Sequence, residues 1–149
     1  MSYLRFGAMI LTSTVVMFGL MYLNTYAMDH VTFSETRAWM ALVMGGAMAI
    51  IMLAFMWGMY RNLAANIGIL LGGALVFAGA LWLVRSQATV DEVAWLRAMI
   101  PHHSIAILTS ERADLRDPRV RRLADTIIET QRREIEEMRA LIAELEARG

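Results

Sequence analysis

The chain has 149 residues, 14 acidic and 14 basic side chains, no lysine and no cysteine. This excludes disulfides, iron–sulfur clusters and thiolate metal sites, and it provides no basic surface for a nucleic-acid partner. Hydrophobic residues make up 58%, above the roughly 45–50% of soluble domains. The excess lies in residues 1–87, where Arg5, Asp29, Glu35, Arg37, Arg61 and Arg85 are the only charges.

The run from Leu4 to about Ala27 is long enough to cross a hydrocarbon core of roughly 30 Å. Its length, and the absence of a convincing small-residue cleavage site after it, favour an uncleaved span over a signal peptide. Asp29 to Arg37 is a short polar loop, with Ser34 placed to cap the next helix. A second span is predicted over 38–60, ended by Arg61-Asn62, and a third over 66–84, closed by Arg85-Ser86-Gln87. Three crossings put the 29–37 loop and everything beyond residue 87 on the same side. Arg5 and Arg61 nearly balance Arg37, Arg85 and Arg97, so charge alone does not choose that side.

Met40, Met44, Met48, Met52 and Met56 recur every four residues along the second span, a slowly rotating thioether stripe. Such a stripe could pass Cu(I) along, although methionine more commonly fills irregular gaps between helices. Gly68-x-x-x-Gly72 in the third span allows close helix approach. His30, beside Met28 and Asp29, is expected to be a solvated loop residue. It shares a compartment with the C-terminal segment and could hand metal to it.

Residues 88–149 form the second domain, a helical hairpin. Thr89 and Glu92 fit a capping box, which predicts a helix over 90–113, bent at Pro101. That proline leaves the carbonyl of Arg97 without its usual donor. Asp117-Pro118 is a second start signal, opening a helix over 118–147. The later helix has a heptad seam of Val120, Leu123, Ile127, Gln131, Glu134, Met138, Leu141 and Leu145. Gln131 and Glu134 interrupt it, and burying such groups without partners costs on the order of 2–7 kcal/mol for the amide and more for the carboxylate.

A hairpin turning near residue 116 brings Gln131 and Glu134 opposite His102 and His103. Glu92, Met99 and His103 share a face of the earlier helix, with His102 three residues from Met99. The resulting candidate metal site is Glu92, Met99, His102, His103, Gln131, Glu134 and Met138. Adjacent histidines point about 100° apart, so one faces its own hairpin and the other a second chain unless the break at Pro101 relaxes this. Two readings stay open on these residues alone: a metal site, or carboxylate and amide groups that accept hydrogen bonds from buried histidines and fix helix register. The mixture of imidazole and thioether favours copper over zinc or calcium. The Glu-x-x-His pairing of carboxylate di-iron bundles is absent, and no serine or threonine has a persuasive acid–base partner, so no enzyme activity is expected.

The run Glu92-Val-Ala-Trp95-Leu-Arg-Ala-Met99-Ile-Pro-His102-His103-Ser-Ile-Ala106, followed by Gln131-x-x-Glu134-Ile-x-x-Met138, resembles the DUF305 family, a domain of unknown function. The resemblance covers about residues 90–147. It implies a ferritin-like helical bundle and, as in periplasmic CopM-type members, copper binding through Met and His. It also implies an extracytoplasmic C-terminal domain, hence an N-terminus inside. Glu92 stands where the family usually has aspartate, and Thr109 where a methionine commonly follows the histidine pair.

A two-helix hairpin of about 60 residues buries little on its own, so a homodimeric four-helix bundle is expected unless the hairpin docks on the spans. The expectation is therefore an all-α, multi-pass protein of the inner (plasma) membrane with a periplasmic hairpin. It would bind a copper ion for storage, resistance or delivery, with the lipid bilayer, a second copy and other copper-handling proteins as partners. The alternative is a structural or assembly subunit of a membrane complex with no metal role.

Overall fold

The structure, a computed structural model, describes residues 2–148. It is all-α: α1 (Tyr3–Leu20), α2 (Glu35–Phe55), α3 (Leu63–Ser86), α4 (Glu92–Arg112) and α5 (Pro118–Arg148), with single 3₁₀ turns at Met28–His30 and Trp57–Met59. The chain forms two compact units. Among the described residues, one holds 2–21 and 36–89, the other 22–35 and 90–148.

In the first unit, α1, α2 and α3 are long and apolar enough to cross a membrane. At 1.5 Å per residue their 18, 21 and 24 residues extend about 27, 32 and 36 Å. Leu4, Leu11, Phe55, Leu71, Leu75 and Trp82 are exposed on them. In water this would be a far larger apolar surface than monomers present; against lipid it is the solvated face.

The ends of the spans differ from the sequence expectation. The first helix stops at Leu20 rather than Ala27, because residues 22–35 peel away into the other unit. There the Ser34 N–H donates to the Tyr22 hydroxyl at 2.9 Å, and the Thr25 hydroxyl donates to the Tyr22 carbonyl. The second helix begins directly after buried Ser34 and ends at Phe55. Asn62 is the N-cap of α3, its side chain accepting the Ala65 N–H at 3.1 Å, so α3 starts three residues earlier than expected. It ends at Gln87, which adopts the left-handed conformation (φ 53°) and returns its N–H to the Leu83 carbonyl at 2.9 Å.

Close approach between α2 and α3 depends on Gly46 and Gly73, not on Gly68 and Gly72. A Cβ on Gly46 would lie 2.9 Å from the Gly73 carbonyl oxygen, whereas one on Gly68 or Gly72 would meet nothing within 4 Å.

In the second unit, α4 and α5 form an antiparallel hairpin. Asp91, not Thr89, is the N-cap of α4: its Oδ1 accepts the Ala94 N–H at 2.7 Å, and a carboxylate there also complements the helix dipole. Asp117 opens α5 by accepting the Arg119 N–H at 2.8 Å. The core is Leu96, Ile100 and Ile107 against Ile135 and Met138, flanked by Met99, Ile128, Ile142 and Leu145.

The seam of α5 is therefore not the one its heptads first suggest. Ala124, Ile128, Ile135, Met138, Ile142 and Leu145 serve the core, while Val120, Leu123 and Leu141 are exposed. Two stripes share Gln131, Met138 and Leu145. The one with Ile at 128, 135 and 142 has a single polar interruption, Gln131, and so removes more apolar area from water.

Candidate functional site

Pro101 lies inside α4 and is buried. Having no N–H, it frees the Arg97 carbonyl one turn earlier. The helix continues nonetheless, because the Thr32 hydroxyl donates to that carbonyl at 2.6 Å. The same segment reaches α4 again at Ser104, which is completely buried. The Ser104 Oγ accepts the Tyr26 N–H at 2.6 Å and lies 2.9 Å from His30 Nδ1. Loop 22–35 thus fixes the turn of α4 that carries His102 and His103.

His30 is consequently not a solvated loop residue: it is half-buried and tied to α4. Burial holds its imidazole below the usual range, and nearby Arg139 adds to this, opposed by Asp29 and Glu136. Arg139 pairs with Asp29 at 2.6 Å, and that hydrogen bond holds the Asp29 carboxyl below its ordinary value.

Of the candidate ligands, three come together directly. His103 Nδ1 lies 3.3 Å from Glu134 Oε2, with the two side chains 14% and 37% exposed. Gln131 Nε2 donates to the same carboxylate oxygen at 3.2 Å. Met138 is buried in the hairpin core and Met99 packs against it. His102 is exposed, its ring centroid 6.2 Å from that of His103. Glu92 is exposed in the first turn of α4. Thr109 returns its hydroxyl to the Ile105 carbonyl at 3.0 Å, and so spends its polar group within its own helix.

The His103–Glu134 contact has an unusual character. Nδ1 is buried and has no hydrogen-bond partner among the described residues, so the 3.3 Å approach is not aligned as a hydrogen bond. Burial pushes the imidazole below its usual range, His102 adds to this, and Glu134 opposes it. A ring nitrogen and a carboxylate oxygen held this close without an aligned hydrogen bond are spaced as a couple of ligands. Two donors bound at about 2.0–2.1 Å to one tetrahedral ion stand about 3.3–3.4 Å apart.

Gln131, donating to that same oxygen, orients the carboxylate as an outer-shell donor does. Among the described residues no three His, Asp or Glu side chains converge on one point. A complete site on this hairpin therefore needs the thioethers of Met99 and Met138 or a donor from elsewhere.

Sequence reasoning did not find Tyr26, Thr32 or Ser104, and it placed His30 in a solvated loop. The signal for Thr32 was nevertheless present, since Pro101 implies an orphaned carbonyl and thus a donor from outside the helix.

The DUF305 family, described as a domain of unknown function, matches residues 82–142. Over that segment the chain is similar to a DUF305 domain. Its matched segment takes in the Met99–His103 run, α4 and all of α5 up to Ile142. The chain is also similar to an uncharacterized protein of Acanthamoeba polyphaga mimivirus, 42% identical over 66 residues that make up 43% of each chain. It therefore spans less than half the length of that relative. No solved structure matches the chain.

Proposed function

We propose that this protein is a membrane-anchored metal-binding protein whose DUF305 hairpin takes up copper for storage, resistance or delivery. The observation that carries the reading is the buried, unpartnered His103 Nδ1 held 3.3 Å from the Glu134 carboxylate. His103 and Glu134 would supply nitrogen and oxygen, Met99 and Met138 thioether sulfur, and Gln131 would hold the carboxylate in place. His102, exposed on the same turn, would serve as an outer ligand or bind from a second copy. Glu92 stands at the mouth of the same helix. Soft sulfur with imidazole suits copper better than calcium or magnesium. The function is binding rather than catalysis. The resemblance to extracytoplasmic members supports a periplasmic hairpin, and the small core supports a homodimer.

The test is metal content. Purified full-length protein should bind copper at neutral pH, and His103→Ala with Glu134→Ala should lower the copper bound per chain while the helical content is retained. Equal copper in wild type and variant would sink the reading.

A second reading, a structural subunit of a membrane complex, is favoured by the exposed stripe of Val120, Leu123 and Leu141 on α5. It predicts co-purifying membrane proteins whose recovery depends on Leu123 and not on His103.

A further inference from the structure

The first unit holds a second cluster of soft donors. Met9 on α1, Met52 in the last turn of α2 and Met56 just beyond its end all pack against the buried group Phe6, Leu53 and Tyr60. The Met56 N–H donates to the Met52 carbonyl at 2.9 Å, which keeps the two residues one turn apart. Packing alone accounts for methionine in such a place, but it leaves one feature unexplained. Tyr60 is 3% exposed and its hydroxyl has no hydrogen-bond partner among the described residues. The polar groups around it are satisfied: the Tyr3 hydroxyl donates to Asn66 Oδ1 at 2.8 Å, and Asn66 Nδ2 donates to the Tyr60 carbonyl at 2.9 Å. A buried hydroxyl without a partner is a liability that native structures rarely carry without cause.

We propose that Met9, Met52, Met56 and the Tyr60 hydroxyl form a second metal site, for a soft monovalent cation such as Cu(I). The donors are all uncharged and the surroundings apolar, so an ion here is stabilised by polarisable sulfur rather than by opposite charge. A divalent ion would lose about four times the hydration energy of a monovalent one, because that energy scales with the square of the charge. Thioether sulfur selects Cu(I) over harder ions. The Tyr3 and Phe6 rings, 4.9 and 5.6 Å from the Tyr60 ring, make its surroundings aromatic as well as apolar. The site does not depend on the hairpin.

The experiment uses full-length protein in detergent carrying His102→Ala and His103→Ala, titrated with Cu(I) alone under reducing conditions against a chromophoric Cu(I) chelator. One Cu(I) should remain bound, and X-ray absorption should show a sulfur-dominated shell. Adding Met9→Leu, Met52→Leu and Met56→Leu, which nearly preserve volume, should remove that ion, and Tyr60→Phe should weaken it. No Cu(I) retained in the histidine variant, a nitrogen-dominated shell, or unchanged stoichiometry in the triple-leucine variant would each overturn the site. Should the triple variant lose its helical content, Met52→Leu alone and the absorption spectrum of the histidine variant decide. The hairpin reading fails separately, through equal copper in wild type and the hairpin variants.

Discussion

Thr32 and Pro101 form a pair that neither residue explains alone. Proline removes an N–H from the interior of α4, and a threonine from a distant loop supplies the replacement donor. Thr32→Val keeps the shape and deletes the donor, leaving the Arg97 carbonyl unsatisfied. It should cost about 1–2 kcal/mol of stability, read from denaturant unfolding followed by helical signal. Pro101→Ala restores the N–H that Arg97 lacks, so Thr32→Val in that background should cost close to nothing. An undiminished cost in the double variant would mean that Thr32 acts through something other than this carbonyl.

His30 gives the second residue-scale prediction. Burial lowers its folded-state pKa, as it does for His103, so the unfolded chain binds more protons as pH falls. The stability these rings contribute is complete above about pH 6.5 and is lost as pH drops from there through the lower folded values. Thermal unfolding without metal should therefore weaken between pH 7.5 and pH 5. His30→Asn, which keeps a polar contact to Ser104 without titrating, should flatten part of that slope. An identical pH profile for the variant would remove His30 from the account.

At the scale of elements, the sequence was legible where periodicity and composition agreed. Three apolar runs became α1, α2 and α3, and Asp117-Pro118 opened α5 as its chemistry demands. Boundaries were less legible because they depend on partners far along the chain: residues 22–27 look apolar enough to prolong α1 but are drawn off by Ser34 and Ser104. The seam of α5 was ambiguous for a different reason. Two apolar stripes overlap, and only the presence of α4 decides between them.

The candidate site was half legible. Opposing His103 to Glu134 and Gln131 follows from counting residues either side of the turn. That His102 would face outward depends on Pro101 not breaking the helix, and thus on Thr32.

The two stripes of α5 can be separated by mutation. Ile135→Ala, in the core, should cost about 2–5 kcal/mol. Leu123→Ala, at a position 61% exposed, should change stability little and reduce self-association if the hairpin dimerises. Within the spans, Gly46→Ala should disturb the α2–α3 contact, since its Cβ would meet backbone at 2.9 Å, while Gly68→Ala meets nothing. Detergent-resistant thermal unfolding would show a lowered midpoint for the first variant and no change for the second.

For the whole molecule, the decisive relation is between loop 22–35 and the hairpin, which pack as one unit although residues 36–89 separate them. Thr32 to Arg97, His30 to Ser104 and Asp29 to Arg139 can form only if both segments emerge on the same side of any membrane the spans cross. An odd number of crossings between the chain's start and its hairpin, with two between the loop and the hairpin, satisfies this. The chain has no cysteine, so single introduced thiols report sidedness without background. Asn24→Cys and Glu129→Cys, both at exposed positions, should react with a membrane-impermeant maleimide from the same face of intact cells. Arg61→Cys, in the short link between α2 and α3, should react only after the membrane is opened, if the N-terminus lies inside. Labelling of Asn24→Cys and Glu129→Cys from opposite faces would break the three-crossing arrangement, and with it the contacts that hold α4 intact around Pro101. Labelling of all three from one face would show that α2 and α3 do not both cross.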